Sequence, residues 1–321
     1  MIMSANISSS RLNRIDIARG LALIAMAIYH TGWDLEFFGY MDPGTTAHGG
    51  WKLFARLIAS SFLILVGFSL YLAHGKAIRW HSFGKRLAMI VIAAAAITGL
   101  TYYTSPDSFI FFGILHQIAL ASVLGLLFLR LPAVLILVVA LLIFIAPDYA
   151  RSDFFNAPLL GFIGLGTITP LSNDYVPLFP WLSAVLTGIA LAKLCQTFNL
   201  SAWLQSSAKE AQIAKPLTFI GKHSLAFYLI HQPVLMAIIY GITFIVPPAG
   251  PERAFMQACQ TNCALEGDPQ LCAQFCACVT DDLQNKNIAK QIYNGAITEE
   301  LNQSLQESAQ LCSVKMLPAS E

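Results

Sequence analysis

About seven apolar stretches, each near the roughly 20 residues that a helix needs to cross about 30 Å of hydrocarbon, constrain this chain more than any other feature. They run near Ile15 to Leu35, Phe54 to Ala73, Leu87 to Tyr103, Phe109 to Leu129, Pro132 to Pro147, Phe179 to Cys195 and Leu217 to Val246. The last is long enough to tilt or to begin with a separate turn. Charged residues make up only 12% of the 321 and hydrophobic ones 56%, whereas a soluble domain carries about 25% charge and 45–50% apolar residues. The expected fold is all-α, a polytopic helical membrane bundle. The first stretch does not read as a signal peptide, because Arg19 and His30 interrupt it and no small-residue cleavage site follows.

The 19 basic and 18 acidic residues leave a formal net charge of +1, so there is no basic surplus to meet nucleic-acid phosphates. That balance conceals a split. Up to Pro251 the chain holds 15 Lys and Arg against 9 Asp and Glu, and from Glu252 onward 4 against 9. Cys195 alone lies in the first part, and Cys259, Cys263, Cys272, Cys276, Cys278 and Cys312 lie in the second. Two domains are expected, a membrane domain over residues 11–246 and a cysteine-rich helical tail over residues 252–321.

Loop charge sets the orientation. Arg11 and Arg14 precede the first span, and Lys76, Arg79, Lys85 and Arg86 join the second to the third. Arg130 joins the fourth to the fifth, and Lys193, Lys209, Lys215 and Lys222 surround the link from sixth to seventh. The positive-inside rule makes these loops cytoplasmic. The alternate loops carry Asp34, Glu36, Asp42, Asp107, Asp148, Asp153 and Asp174 against Lys52, Arg56 and Arg151. An odd number of spans then puts the N-terminus inside and the tail outside, in an oxidising, periplasm-like space where disulfides persist. A bacterial inner membrane is the expected location.

Ionisable groups inside a span are costly and point to function. The first span holds Asp16, Arg19 and His30, with Asp34 directly after it. Arg19 and His30 are eleven positions apart, three turns plus about 20°, so they share a face about 16 Å apart along the axis. His30 and Asp34 stand at i and i+4, where the carboxylate can fix the imidazole tautomer and raise its basicity. That pair is half of a general-base arrangement. The plain alternatives are a snorkelling Arg19 paired with Asp16 and an interhelical His30.

The stretch Arg14-Ile15-Asp16-Ile17-Ala18-Arg19-Gly20, continued by Tyr29-His30 and Trp33-Asp34, resembles the opening helix of bacterial membrane proteins similar to the catalytic domain of heparan-alpha-glucosaminide N-acetyltransferase. Four later segments resemble the same family in collinear order: Phe62 to Leu70 with Gly67 and Ser69, Phe112 to Ala119 with His116 and Gln117, Asp174 to Trp181, and Gly221 to Pro233 with His223, Tyr228 and His231. The resemblance implies a membrane-embedded acyltransferase. Its donor is acetyl-CoA or another acyl-CoA from the cytoplasmic side, and its acceptor a hydroxyl or amine of a glycan or lipid-linked sugar on the far face, with no permanently bound cofactor.

The spacing from Arg19 to His30 is also similar to the first-helix signature of membrane acyltransferases that O-acylate surface polysaccharides, where the histidine is catalytic. The eukaryotic members carry an active histidine in a first outward loop, in a His-x-x-Trp context, and His48-Gly49-Gly50-Trp51 stands at the matching place. His30 and His48 therefore both stand as catalytic candidates, with Asp34 supporting the first. Asp16, Arg19, His116, Gln117, His231 and Trp181 are the candidates for substrate contact. The eukaryotic pattern has Gln-Arg where this chain has His116-Gln117, so a donor-phosphate arginine does not transfer there. The basic residues Arg79, Lys85 and Arg86 suit CoA phosphates, yet the positive-inside rule alone accounts for them.

In the tail, Cys259 and Cys263 stand at i and i+4, as do Cys272 and Cys276, so each pair shares a helix face on either side of a turn at Leu265 to Gln270. Antiparallel packing joins Cys259 to Cys276 and Cys263 to Cys272, leaving Cys278 for Cys312. The rival reading of the tail is a metal site on Cys272, Cys276 and Cys278, but the oxidising compartment favours disulfides and the seven histidines lack ligand spacing, so no metal is expected. The Gly161, Gly164 and Gly166 run lacks the soluble βαβ context of a dinucleotide fingerprint. Two rival classes remain in view: a proton-coupled transporter or flippase of a sugar-containing lipid, which intramembrane histidines would serve, and a scaffold acting through its tail.

Overall fold

The computed structural model describes residues 13–42, 44–200, 214–246, 248, 250–264, 268–293 and 298–316. Arg11 and Lys209, two of the orientation markers, and residues 265–267 of the tail turn lie outside them. Among the described residues the only regular structure is helical. The helices are α1 Asn13–Phe37, α2 Gly49–His74, α3 Trp80–Thr104, α4 Ile114–Phe128, α5 Ala133–Tyr149, α6 Leu178–Thr197, α7 Lys215–Lys222, α8 Ser224–Thr243, α9 Pro251–Ala264, α10 Pro269–Asn285, α11 Ala289–Tyr293 and α12 Glu299–Met316.

Four of these, α2, α3, α6 and α8, are long and apolar enough to cross a membrane. The other expected spans differ for readable reasons. Helix α1 has the length, but Asp16, Arg19, Asp34 and Glu36 dilute its apolar character. Helix α5 has 17 residues, and α4 has 15, starting at Ile114 rather than Phe109. The delay in α4 has a distant cause. The Asp174 carboxylate accepts the Ile114 N–H at 2.9 Å, while Asn173 N–H donates to Ser108 O and Val176 N–H to Phe112 O. Residues 109–112 are thereby held beside the segment before α6 instead of winding into a helix. The seventh stretch is two helices, because the chain turns at His223 between α7 and α8.

The chain forms two compact units, one from Leu53–His231 with the chain up to Ala27, the other from Ile28–Lys52 with Gln232–Glu321. In the first, Leu63, Leu70, Ile136, Leu186 and Ile189 are buried in a core built by α2, α4, α5 and α6. Lipid tails are as apolar as these side chains, so helix association needs close backbone approach rather than water exclusion. Glycine provides it reciprocally: a Cβ at Gly67 would overlap Val185 O, and one at Gly188 would overlap Ile64 O. The same device joins α1 to α7, where a Cβ at Gly20 would strike Leu217 O and one at Gly221 would strike Asp16 O. Lys193 Nζ donates to Leu129 O at 3.1 Å and to Leu131 O, so an ammonium closes the C-terminal end of α4 where its carbonyls lack helical partners.

In the second unit the tail packs α9, α10 and α12 around Val279, Leu283 and Cys312, with Phe255 and Phe275 at the margin. Asp268 caps α10 by accepting from Gln270 and Leu271 N–H, and Pro269 fits the first turn, where no donor is needed. Disulfides join Cys259 to Cys276, Cys263 to Cys272 and Cys278 to Cys312, with Cα separations of 5.9, 5.6 and 5.9 Å. The first two are the pairs that the i, i+4 spacing favours, and the third joins the two cysteines left over.

Candidate functional site

The α1–α7 glycine contact sets out the first site. With Gly20 and Gly221 pressed against the opposing backbones, Asp16 and Arg19 from α1 face the α7–α8 turn across a cavity of about 350 Å³. Arg19 is held at both guanidinium Nη atoms: Nη1 meets Asp16 Oδ1 at 2.9 Å and Nη2 donates to Ser69 Oγ at 2.5 Å, while Ser69 Oγ donates in turn to Leu65 O. Arg86 from α3 and Lys222 and His223 from the α7–α8 turn also line the cavity, as does Ser224 at the first turn of α8. Among the described residues Asp16 is the one acidic side chain in the lining. Ser224, Leu225 and Ala226, the first turn of the 20-residue α8, complete that side of the wall. The rest of the wall is apolar, including Leu23, Phe62, Val66, Met89, Ile90 and Ile118. Such a cavity suits a ligand with an anionic head and an uncharged, partly apolar arm.

Of the candidates for substrate contact, Asp16 and Arg19 line this cavity. Arg86, weighed for CoA phosphates but attributed to orientation, also lines it, and Lys222 and Ser224 are members that sequence reasoning passed over, although the Gly221 to Pro233 segment had marked the right stretch. Trp181 does not join them, for it packs against the hydrophobic core. His116 is occupied elsewhere. Its Nδ1 accepts the Gly113 N–H at 3.2 Å, so Nε2 carries the proton and donates to Thr98 Oγ1 at 3.2 Å, while Thr98 donates to Ile110 O. Both ring nitrogens thus hold the α3–α4 connection. Gln117 is fully buried, and neither end of its amide has a hydrogen-bond partner among the described residues. His231 Nδ1 donates to Tyr228 O at 2.7 Å, and its ring lies parallel to Phe227.

The second unit holds both catalytic candidates. Asp34 is fully buried, and its Oδ1 accepts from Gln232 Nε2 at 2.6 Å, while Oδ2 has no hydrogen-bond partner among the described residues. The expected Asp34–His30 hydrogen bond is therefore not formed. Helical spacing permits it, but an amide 198 positions away in sequence takes the carboxylate. His30 instead sits edge-on to Tyr29, whose ring also meets Trp51. Trp51 lies so close to Gly32 that a Cβ there would stand 2.7 Å from its Cη2.

His48 is placed by a different carboxylate. Glu36, at the end of α1, accepts from Gly44 N–H at 2.5 Å, Thr46 N–H at 2.9 Å and Thr46 Oγ1 at 2.7 Å, and so ties down the loop that leads into α2. In that loop Gly44 adopts a φ of 82°, a left-handed conformation that glycine tolerates best. Its carbonyl meets His48 Nδ1 at 2.9 Å. A carbonyl only accepts, so Nδ1 carries the hydrogen and Nε2 holds the lone pair, the tautomer a general base requires. Among the described residues no group of three or more His, Cys, Asp or Glu side chains is arranged to hold a metal ion.

This cavity lies in a helical unit that includes helices long and apolar enough to cross a membrane, as in an integral membrane protein. A family comparison identifies the class more narrowly: residues 11–233 match the family described as heparan-alpha-glucosaminide N-acetyltransferase, catalytic. The chain belongs to that family. No curated protein and no solved structure matches it.

Proposed function

We propose that the protein is a membrane acyltransferase that moves an acetyl or related acyl group from a cytoplasmic acyl-CoA to a hydroxyl or amine of a sugar on the periplasmic side. The observation that carries this reading is the cavity lined by Arg19, Arg86, Lys222 and the first turn of α8. Its cationic end matches the phosphates of CoA, and its apolar wall matches the pantetheine arm and the acyl group. Held by Asp16 and Ser69, Arg19 meets a phosphate without further ordering, which lowers the entropic cost of binding.

Transfer needs a base. The acceptor oxygen or nitrogen attacks the thioester carbonyl carbon, its proton passes to an imidazole, the C–S bond breaks, and the proton then leaves with the CoA thiolate. His48 offers the required tautomer through Gly44 O and Glu36, and His30 is the alternate within α1. The membrane orientation in this reading keeps the N-terminus in the cytoplasm and the disulfide tail in the periplasm, in a bacterial inner membrane.

The test uses the full-length protein in detergent or liposomes, with acetyl-CoA as donor and a glucosamine-terminated saccharide as acceptor. Wild-type protein is expected to release CoA and acetylate the sugar. Replacing both His30 and His48 with Ala is expected to abolish transfer while leaving acetyl-CoA binding intact. Full turnover in that double variant, or no binding of acetyl-CoA by the wild type, overturns the proposal.

A further inference from the structure

The connection between α5 and α6 lies outside the cavity described above, and its composition is unusual for a loop. From Ser152 to Ser172 the only charged side chain is Asp153, while Phe154, Phe155, Leu159, Leu160, Phe162, Ile163, Leu165, Ile168 and Leu171 are all large and apolar. Several of them stand clear of the protein: Phe154 is 72% exposed, Leu159 87%, Ile168 71% and Leu171 83%. Four apolar side chains presented this openly to water forfeit most of the transfer energy that burial would supply, of order 1.5–3 kcal/mol each.

The segment is nonetheless ordered from within. Asp153 Oδ1 accepts from Asn156 Nδ2 and Thr167 Oγ1, Asn156 Oδ1 accepts from Ile168 N–H, Ser152 N–H donates to Leu165 O, and Tyr175 Oη donates to Gly161 O. Its polar atoms are turned on one another, which a segment in a water-poor setting requires. It also belongs to one end of its unit. Ser172 donates to Phe109 O, Phe111 meets Tyr175, and Phe162 meets Phe112. At that same end Tyr102, Tyr103 and Tyr149 are 63%, 89% and 85% exposed, at the last turns of α3 and α5. Tyrosines at the ends of lipid-facing helices mark the headgroup level of a bilayer. The flank of α5 below continues as an apolar face, with Leu141, Leu142 and Phe144 all more than half exposed.

We infer that the segment from Ser152 to Leu171 lies in the lipid interface, with Phe154, Leu159, Ile168 and Leu171 dipping into the acyl-chain boundary, so that its partner is the bilayer rather than the aqueous phase. The lipid-facing surface of the protein therefore extends past the ends of its helices onto a connecting loop.

The experiment reconstitutes the full chain, with Cys195 replaced by Ser and the three disulfides intact, in phosphatidylcholine liposomes. Single cysteines at Leu159 or Leu171 are labelled with an environment-sensitive fluorophore. A label replacing Leu142, on the exposed face of α5, is the lipid reference, and one replacing Lys76, in the polar turn after α2, is the aqueous reference. Labels at Leu159 and Leu171 are expected to emit to the blue of the Lys76 label. Lipids brominated near the glycerol end should quench them at least about twofold more than lipids brominated near the chain terminus, as a position near the headgroups demands. Strong quenching by aqueous iodide with none by brominated lipid overturns the inference, and protection from both quenchers that is lost on diluting the protein in lipid overturns it in favour of a second copy. Because no donor or acceptor is used, this outcome is independent of the acyltransfer reading.

Discussion

The first unit and the tail close their structures by opposite means. In α1, α2, α6 and α7 the contacts that matter are glycine against carbonyl oxygen, with no side chain between. In α9, α10 and α12 they are sulfur to sulfur. The contrast follows from the solvent of each region. Lipid gives two apolar helices no reason to leave it, so backbones must approach until dispersion contacts accumulate. Water gives the tail such a reason, but a segment of this size has too little core to exploit it, and cross-links that restrict the unfolded chain make up the difference.

The sharpest way to break this comparison is to fill a glycine contact. Gly67→Leu or Gly188→Leu is expected to remove folded protein altogether, since the new side chain meets backbone that cannot turn aside; recovery of a monodisperse species at wild-type yield would refute the packing account. Removing the Cys278–Cys312 bridge with serines should cost the tail about 3 kcal/mol, within the usual 2–4. Its 34-residue loop exceeds the 9 residues of Cys263–Cys272, so on loop entropy it should exceed that bridge by about 1 kcal/mol. Denaturant unfolding of both variants, followed by protease sensitivity of the tail, checks the order. Arg86→Ala and Lys222→Ala should each raise the KM for acetyl-CoA by about tenfold, the loss of one exposed charge-assisted contact of about 1.4 kcal/mol, with kcat nearly unchanged.

The smallest effect is a pair of opposite pH slopes. Burial raises the Asp174 carboxyl above its usual value against the pull of the Ile114 N–H. Its folded form therefore prefers the proton, and its contribution weakens as pH climbs from 3.8 toward the raised value. Asp282 in the tail is lowered by hydrogen bonds from Ser308 and Lys286, burial opposing. Its contribution is complete above 3.8 and fades as pH falls through the lowered value. Asp174→Asn should flatten the first slope and Asp282→Asn the second, as read from unfolding midpoints against pH.

Sequence pattern reached different depths in the two regions. The disulfide pairs were legible because both cysteines of each i, i+4 set lie on one helix, and two helices can pair them in few ways. Several membrane features were not, because their partners are remote. Asp34 is taken by Gln232 and Ile114 by Asp174, which no local period encodes. The cavity draws on α1, α3, α7 and α8, so Arg86 read as an orientation charge until the fold placed it on that wall. His116 read as a candidate for substrate contact, yet both its ring nitrogens are engaged at the α3–α4 connection.

The three bridges also set the tail's covalent topology. Cys263–Cys272 closes a ring nested inside that of Cys259–Cys276, and Cys278–Cys312 closes a separate one. Only the two peptide bonds around Ala277 lie between Cys259 and Cys312 yet outside every ring. A protease cut anywhere else in that stretch opens a ring without shedding a fragment, so a nicked tail would travel as one species until reductant is added.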